Sequence, residues 1–326
     1  MKITIIIPNY NGKRFLAPCL ESLSSQNFTD FEILVIDNHS TDGSIEYIKE
    51  HYPEIRFIAL DKNYGFSTAV NTGIRHSSAP YVLLLNNDTT AEPHFVEELL
   101  KAIESSSRIF SVSSKMLQMH HPDLIDGAGD LYTLLGWGVA RGAGRPADNY
   151  TQTEDVFSAC AGAAIYRRSA FRKIGYFDEA HFAYLEDIDV GYRAKIYGYR
   201  NIYCPAAIVH HVGSGTSGSK YNSFKVKTSA RNSVWLIYKN MPLPQLILNS
   251  LPLLAGYFIK GLFFYKIGFG KDYIHGLLEG LHGLKKCKKV RFRSRHLLSY
   301  IKIEIELIKY TFHYAQDWGK RKLLKI

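Results

Sequence analysis

The chain has 326 residues, 46% of them hydrophobic and 21% charged, which excludes a disordered or collagen-like protein. The net charge of +10 is unevenly distributed, because residues 1–218 carry 19 basic and 25 acidic side chains whereas residues 219–326 carry 21 and 5. An acidic front part argues against a nucleic-acid groove, and the split predicts a catalytic domain over 1–218 followed by a basic, amphipathic helical region over 219–326.

Four cysteines lie far apart and form no CxxC pair. This spacing favours neither a disulfide framework nor a cysteine zinc site, and it fits a reducing cytoplasm. The chain begins directly with a β-branched strand, without the apolar segment and cleavage site of a secretory signal. We therefore expect a cytoplasmic location.

The first 110 residues alternate short β-rich runs with amphipathic stretches, the pattern of βα units on a mostly parallel sheet. Ligands on such sheets bind beyond the carboxyl ends of the strands, and Asp and Asn are frequent at those positions here. The predicted strands are 3–7, 32–36, 56–60, 81–85 and 109–113, and the predicted helices are 12–25, 41–52, 67–76 and 93–105.

The middle of the chain is rich in glycine from 120 to 155 and lacks periodicity. We interpret this stretch as a long substrate-facing loop region with short strands. Regular patterns return after it, and they predict strands at 159–166 and 201–204 and helices at 168–174 and 186–197.

The last third combines an uncharged stretch with a basic cluster. Residues 241–259 contain no charged side chain, and residues 285–295 contain seven Lys and Arg. Prolines and polar side chains inside the uncharged stretch argue against a bilayer-spanning helix, so we expect this stretch to form a helix that lies in the interface of an anionic membrane. The alternative is an apolar hairpin packed on the front domain with a solvated basic face.

Two acidic residues follow neighbouring predicted strands. Asp88 comes after two asparagines at the end of strand 81–85, where a carboxylate can bind a divalent cation that a diphosphate also holds. Asp37 ends strand 32–36 and can accept a hydrogen bond from a nucleobase or a ribose. The alternatives are an Asx turn for Asp88 and a helix cap for Asp37.

Three carboxylates stand at the start of helix 186–197. Arg193 is a partner for Asp189 one helical turn away, whereas Glu186 and Asp187 have no such local partner. One of these two is therefore a candidate general base for a hydroxyl nucleophile. The alternative is that all three only interact with the helix dipole.

The pair His210 and His211 follows the last predicted strand of the front part and precedes a flexible glycine-serine segment. A neutral imidazole there can join Asp88 on a metal ion. A zinc hydrolase is disfavoured because no HExxH motif accompanies the pair.

These stretches together resemble glycosyltransferase family 2, inverting enzymes of the GT-A fold, and within it the rhamnosyltransferase-like branch. The resemblance implies a GT-A fold, a Rossmann-like mixed α/β sheet flanked by helices. It covers roughly residues 2–220, and its motifs, in chain order, are ITIIIPNYNG, FEILVIDNHSTDGS, NYGFSTAVNTGI, YVLLLNNDT, CAGAAIYRRSAFRKIGYFDE, YLEDIDVGYRAKIYGY and Pro205-x5-His211.

The resemblance also implies a role for each motif. Asp187 would be the general base, with Glu186 orienting the acceptor or tuning Asp187. Asp88 and His211 would hold Mg2+ or Mn2+, although the DxD-type motif here keeps only one carboxylate. Arg231 would meet the departing diphosphate, or else it is an interfacial arginine. The remaining residues would form the nucleotide side of the cleft, namely Pro8, Asn9, Tyr10, Asp37, Asn63, Gly65, Asn71, Asn86 and Asn87.

We thus expect transfer of a sugar, with dTDP-rhamnose as the first donor considered, to a glycan or lipid-linked glycan acceptor at the inner membrane surface in cell-surface polysaccharide synthesis. UDP-galactofuranose, UDP-glucose and UDP-GlcNAc are alternative donors. A nucleotidyltransferase is disfavoured because the first loop, PNYNGKRF, has a single glycine. A non-catalytic nucleotide-sugar binding module would not require Asp187.

Overall fold

The computed structural model describes residues 1–213, 219 and 221–323. The chain forms two compact units. The first comprises Met1–Asp130, Ala140–Ala194 and Tyr199–Lys220, and the second comprises Leu131–Val139, Lys195–Gly198 and the chain from Tyr221 onward. The boundary predicted between 218 and 219, and most of the predicted flexible segment after His211, lie outside the described residues.

The first unit is built on one mixed sheet of ten strands with flanking helices. The path of the sheet is β10-β12-β6-β11-β4-β1-β2-β3, with β5 paired to β12 and β7 paired to β6. The elements up to the fifth helix are β1 (Ile3–Asn9), α1 (Lys13–Ser24), β2 (Phe31–Asp37), α2 (Ser44–His51), β3 (Arg56–Ala59), α3 (Phe66–His76), β4 (Tyr81–Leu85), β5 (Thr89–Ala91), α4 (Phe95–Glu104), β6 (Ile109–Gln118), β7 (His121–Gly127), β8 (Asp130–Tyr132), β9 (Gly138–Ala140), β10 (Glu154–Val156), β11 (Ala163–Arg167) and α5 (Arg168–Ile174). They are followed by α6 (Glu186–Ile196) and β12 (Arg200–His211).

Strand β1 lies in the middle of this sheet and is buried on both faces. Ile5 and Ile7 belong to a core that α1 and α4 complete, and Ile6 points to the opposite face. There α3 packs closely, because a Cβ on Gly73 would lie 2.4 Å from Ile6 Cγ2. Continuous burial explains why β1 is a run of isoleucines rather than an alternating pattern.

The first four βα units form as predicted, with β4, β1, β2 and β3 parallel. Antiparallel β11 then pairs with both β4 and β6, which makes the sheet mixed. This arrangement sets the carboxyl end of β4 beside the segment that precedes β11, and that edge carries the site described below.

The last strand of the first unit is longer than predicted. Residues 201–204 were expected to form a strand with both histidines after it, but β12 continues to His211. The register shifts between Cys204 and Ile208 as β12 pairs with β6, so the strand passes Pro205 through an irregularity that hid its continuation from the sequence pattern. His210 and His211 are therefore fixed in the sheet.

The second unit is helical apart from its part of the β8-β9 hairpin. Its helices are α7 (Ser223–Asn240), α8 (Leu243–Leu248), α9 (Ser250–Lys266), α10 (Gly270–His282) and α11 (Leu297–Leu323). The uncharged stretch 241–259 was expected to form one helix, but it is divided at Asn249 between α8 and α9. The buried Asn249 side chain donates to Glu304, which fixes the break.

Large apolar side chains remain exposed on the second unit. Of the 27 exposed large hydrophobic residues in the described part of the chain, 24 lie at or beyond Tyr221. They include Leu251, Leu254 and Phe258 on α9 and Ile305 and Phe312 on α11. Within the described residues, none of the helices combines the length and the apolar character needed to cross a bilayer.

Candidate active site

Buried polar side chains connect the carboxyl ends of β1, β2 and β4. Asn9 Nδ2 donates to Asp37 Oδ1 at 2.8 Å, and Asn87 Nδ2 donates to Asn9 Oδ1 at 2.7 Å. The second oxygen of Asp37 accepts from the backbone N–H of Ser40 at 2.9 Å. The sequence-predicted residues Asn9, Asp37 and Asn87 are thus brought together, and Asp37 also holds the loop after β2.

The other nucleotide-side residues differ in exposure. Tyr10 is 38% exposed at the end of β1, and Pro8 beside it is half-buried. Asn86 is half-buried, and its backbone N–H donates to Gly162 O at 2.8 Å. Tyr10 therefore presents a free aromatic surface, of the kind on which a nucleobase can stack.

Asn63, Gly65 and Asn71 form structural contacts within the protein. Asn63 Oδ1 accepts from the Gly65 N–H at 2.9 Å, closing the turn before α3. Asn71 is fully buried, and its amide group binds the backbone N–H and C=O of Phe177 and also the carboxylate of Glu179. These contacts hold the segment that leads to the acidic start of α6.

That segment has an unusual backbone. Phe182, Tyr184 and Leu185 all have positive φ, at 64°, 72° and 66°. Gly65 has φ +85°, and an added Cβ would lie 2.5 Å from Phe182 O, so the segment packs directly on this glycine. Non-glycine residues at positive φ are costly and concentrate at functional sites. No residue pattern in this segment predicts this strain.

The two residues predicted to hold a metal ion, Asp88 after β4 and His211 at the end of β12, lie close together. His211 Nε2 lies 3.2 Å from Asp88 Oδ1, and His211 Nδ1 lies 2.8 Å from Asp126 Oδ2. Burial lowers the pKa of His211, but the hydrogen bonds to Asp126 and Asp88 outweigh it and raise the pKa to about 9. His210 instead pairs with Glu92 at 3.0 Å, so His211 is the histidine that approaches Asp88.

This pair is suited to a divalent cation. A carboxylate oxygen and an imidazole nitrogen 3.2 Å apart can both bind one ion once the cation displaces the imidazole proton. The second ring nitrogen is held by a carboxylate, as is usual for metal-bound histidine. Sequence reasoning did not identify Asp126. Its only signal was its position in the glycine-rich segment taken as substrate-facing.

A cluster of buried carboxyl groups lies at the start of α6. Burial raises the pKa of Asp187 to about 6, and burial together with the charge of Asp187 raises that of Glu186 to about 8. Asp187 Oδ1 accepts the Ile188 N–H at 2.7 Å, which orients the carboxyl group. Asp189 is not a candidate base, because it forms the predicted ion pair with Arg193 at 2.7 Å.

The segment before β11 links the two acidic regions. Cys160 Sγ lies within 4.8 Å of a carboxyl oxygen of Asp187, and Gly162 O accepts the N–H of Asn86, two residues before Asp88. The same short segment therefore contacts the carboxyl cluster and the end of β4.

Arg231 lies on α7 in the second unit. Its guanidinium stands over the Trp235 ring at 4.6 Å, and its Nε donates to Asn232 Oδ1 at 3.0 Å. Burial lowers its pKa. Contact of Arg231 with a diphosphate stays a prediction.

A model of the family described as "Glycosyl transferase family 2" matches residues 4–175 of this chain. The N-acetylglucosaminyl-diphospho-decaprenol L-rhamnosyltransferase of Mycobacterium tuberculosis (strain CDC 1551 / Oshkosh) is 28% identical over 244 residues. The match covers 66% of this chain and 77% of that relative.

Two solved structures share the fold. GalNAc-T7 with UDP, GalNAc and Mn2+ superposes with a TM-score of 0.59 at 16% identity, covering 73% of this chain, which spans 47% of that structure. Mannosyltransferase PcManGT from Pyrobaculum calidifontis, in complex with GDP-Man and Mn2+, superposes with a TM-score of 0.54 at 15% identity and covers 86% and 87% of the two chains. These similarities confirm the predicted mixed sheet with flanking helices.

Proposed function

The chain belongs to glycosyltransferase family 2 and has the GT-A fold, and on this premise we propose that it transfers a sugar, with inversion, from a nucleotide donor to a hydroxyl group of a lipid-linked glycan. The observation that carries the proposal is the half-buried carboxyl group of Asp187. It lies beside Cys160, in the same short segment whose Gly162 O accepts the Asn86 N–H at the end of β4. A base of this type and a cation site at one sheet edge are what transfer to a hydroxyl requires.

In this mechanism Asp187 accepts the proton of the acceptor hydroxyl while that oxygen attacks the anomeric carbon. The bond to the nucleoside diphosphate breaks on the opposite face, so the anomeric configuration inverts. A pKa of about 6 leaves Asp187 ionised at neutral pH and still basic enough to take a proton in the transition state. Glu186 keeps its proton at neutral pH, so it can donate a hydrogen bond to the acceptor.

Asp88 and His211 would hold the divalent cation, Mg2+ or Mn2+, which when bound neutralises charge on the departing diphosphate. Asp126 orients the His211 ring through Nδ1. Asn9, Asp37 and Asn87 fix the neighbouring strand ends, and Tyr10 offers a surface for the nucleobase.

The acceptor and the location follow from the second unit. Its exposed apolar side chains on α8, α9 and α10 occur together with the exposed basic residues of the 285–295 segment. Apolar side chains insert at a bilayer interface, and each basic residue adds roughly 1 kcal/mol of attraction to anionic lipid. We assign the acceptor to the membrane-bound glycans of cell-surface polysaccharide synthesis and the enzyme to the cytoplasmic face of the membrane.

The experiment begins with a thermal-shift screen of dTDP-rhamnose, UDP-galactofuranose, UDP-glucose and UDP-GlcNAc in the presence of Mn2+. dTDP-rhamnose is the expected donor, since the relative described above is a rhamnosyltransferase. With the selected donor, Asp187→Asn should retain donor stabilisation and lose transfer by about 10²- to 10⁴-fold, the usual contribution of a general base. Transfer at the wild-type rate in this variant would refute the base assignment.

A further inference from the structure

Asp130 is a buried acidic residue to which the mechanism above gives no role. It lies at the start of β8, in the glycine-rich segment, and is 8% exposed. Its backbone is fixed on both sides, because its N–H donates to Ser158 O at 2.9 Å and its C=O accepts the Phe157 N–H at 2.9 Å. The side chain is therefore held at a defined position.

The Asp130 carboxyl group faces the general base. One of its oxygens, a carboxyl oxygen of Asp187 and Cys160 Sγ all lie within 4.8 Å of one another. Within the described part of the chain, no hydrogen-bond donor reaches the buried Asp130 Oδ2. A buried carboxylate oxygen without a donor is costly, and a second carboxylate beside it increases that cost.

One proton removes both difficulties. Ionising both groups is strongly disfavoured, because Asp130 is buried and a carboxyl oxygen of half-buried Asp187 lies within 4.8 Å of one of its own. A protonated and an ionised carboxyl group instead form a strong hydrogen bond. Burial and the charges of Asp187 and Glu186 raise the pKa of Asp130 well above its ordinary value. Burial also raises the pKa of Asp187, and a hydrogen bond with Asp130 offsets part of that rise. Asp187 Oδ1 accepts the Ile188 N–H at 2.7 Å, which stabilises a negative charge there, whereas Asp130 Oδ2 has no hydrogen-bond partner among the described residues. The proton therefore belongs to Asp130.

We propose that Asp130 is a positioning residue for the transfer reaction, and that its protonated carboxyl group donates a hydrogen bond that orients Asp187 and keeps it ionised. This inference rests on the proposed function, because it assigns Asp130 a role toward the base. Among the described residues, the titratable groups that face Asp130 are Asp187 and Glu186 from α6, Cys160 from the segment before β11 and Tyr166 from β11.

The proton balance of the reaction is simple. Before transfer the Asp130–Asp187 pair holds one proton, on Asp130. As the new glycosidic bond forms and the bond to the diphosphate breaks, Asp187 takes the proton of the acceptor hydroxyl, so the pair then holds two. Asp187 returns this second proton to water after product release, and Asp130 keeps its own throughout.

The first test needs no substrate. Infrared difference spectra of the full chain at pH 7 compare the wild type with Asp130→Asn, using the carbonyl stretch of un-ionised carboxylic acids. We expect Asp130→Asn to remove one such band. Asp123→Asn, an exposed acidic residue of the same glycine-rich segment, should remove none. Absence of a band that depends on Asp130 would overturn the proposal.

The second test follows the titration of Asp187 in the same spectra. Asn keeps a neutral N–H donor at position 130, so Asp130→Asn should leave this titration near its wild-type midpoint of about 6. Asp130→Ala loses the donor, so the midpoint should rise. An ionised Asp130 would give the opposite sign, because removing a negative charge lowers the midpoint in both variants. A purely structural Asp130 would destabilise the fold without moving the midpoint.

Turnover with the donor from the thermal-shift screen gives the corresponding kinetic result. Asp130→Ala should lower kcat by about 10- to 100-fold through misplacement of the base, and Asp130→Asn should recover most of that loss. The acid limb of the pH profile of kcat should move to higher pH only in Asp130→Ala. If Asp187→Asn is as active as the wild type, the proposed function fails. If Asp187→Asn is inactive but the acid limb of the Asp130→Ala pH profile moves to lower pH, only the inference about Asp130 fails.

The alternative is that Asp130, Cys160 and Asp187 together bind a metal ion. Titration of the wild type and of His211→Ala with Mn2+ and Zn2+ separates the two. Binding that persists in His211→Ala and disappears in Asp130→Ala would assign a cation to this cluster and overturn the shared proton. Binding that depends on His211 and not on Asp130 agrees with it.

Discussion

The two units use charged and apolar side chains in opposite ways. In the first unit the carboxyl groups of Asp88, Asp130 and Glu186 are buried, and Tyr10 is one of only three exposed large hydrophobic side chains among the described residues before Tyr221. In the second unit large apolar side chains are exposed, and so are the described side chains of the basic cluster. Burial strengthens electrostatic interactions and shifts pKa values, so the first unit is suited to chemistry and the second to a surface.

This difference predicts different responses to salt. Interactions between buried groups are little screened, whereas attraction between exposed charges falls as ionic strength rises, with a Debye length of about 8 Å at 0.15 M. Turnover of a soluble acceptor should therefore depend weakly on salt, while binding to an anionic surface should depend on it strongly. Each prediction below alters one unit only.

The largest effect is expected at Asp88. Asp88→Ala removes the carboxylate that meets His211 at 3.2 Å, so we expect turnover to fall by at least about 10²-fold, with loss of the Mn2+-dependent part of donor binding. Turnover and thermal shifts with and without a chelator provide the measurement. Asp61→Ala, an exposed residue after β3, is the matched control and should retain both properties. Full turnover in the chelator would contradict the cation assignment.

The second-largest effect is expected for the basic cluster. Lys288, Lys289 and Arg291 are exposed, so their joint replacement by Glu should reduce binding to phosphatidylglycerol-containing vesicles by about 10- to 10²-fold, with turnover of a soluble acceptor retained. Co-sedimentation of the full chain at low and high salt is the measurement. A matched triple replacement by Glu at exposed Lys2, Lys49 and Lys62 of the first unit should change binding little. Vesicle binding that depends on neither lipid charge nor salt would contradict the assignment of the basic cluster to an anionic membrane surface.

The fold was more predictable than the site. The βα units of the first 110 residues follow from the alternation of apolar runs and amphipathic stretches, and α5 was predicted at its observed bounds. The extension of β12 was missed because Pro205 interrupts the strand pattern, and the helix break at Asn249 because it depends on a contact with Glu304, 55 residues away.

Within the site, sequence identified groups that stand directly after strands or at a helix start. Asp88, His211 and Asp187 have such positions, and the structure gives them partners suited to the predicted chemistry. Asp126 and Asp130 were missed because the glycine-rich segment has no periodicity to orient its side chains. Their roles depend on pairing between residues far apart in the chain, which a single sequence does not show.

The smallest effect is expected at Gly65, where the backbone of the first unit supports the base. Gly65→Ala adds a Cβ 2.5 Å from Phe182 O at φ +85°, so the segment before Glu186 must move. We expect a loss of about 1 to 3 kcal/mol in the free energy of unfolding and a fall in kcat of about 10-fold. Urea unfolding and turnover measure these, and vesicle binding should not change.

Gly144 separates steric contact from backbone strain in this experiment. It also has positive φ, at +72°, but an added Cβ would meet nothing within 4 Å. Gly144→Ala should therefore cost only the conformational strain, about 1 kcal/mol, and leave kcat near the wild-type value. Equal losses of kcat in the two variants would show that positive φ alone, rather than packing of Phe182 on Gly65, determines the effect. A larger loss in Gly65→Ala assigns it to the segment that carries Asp187.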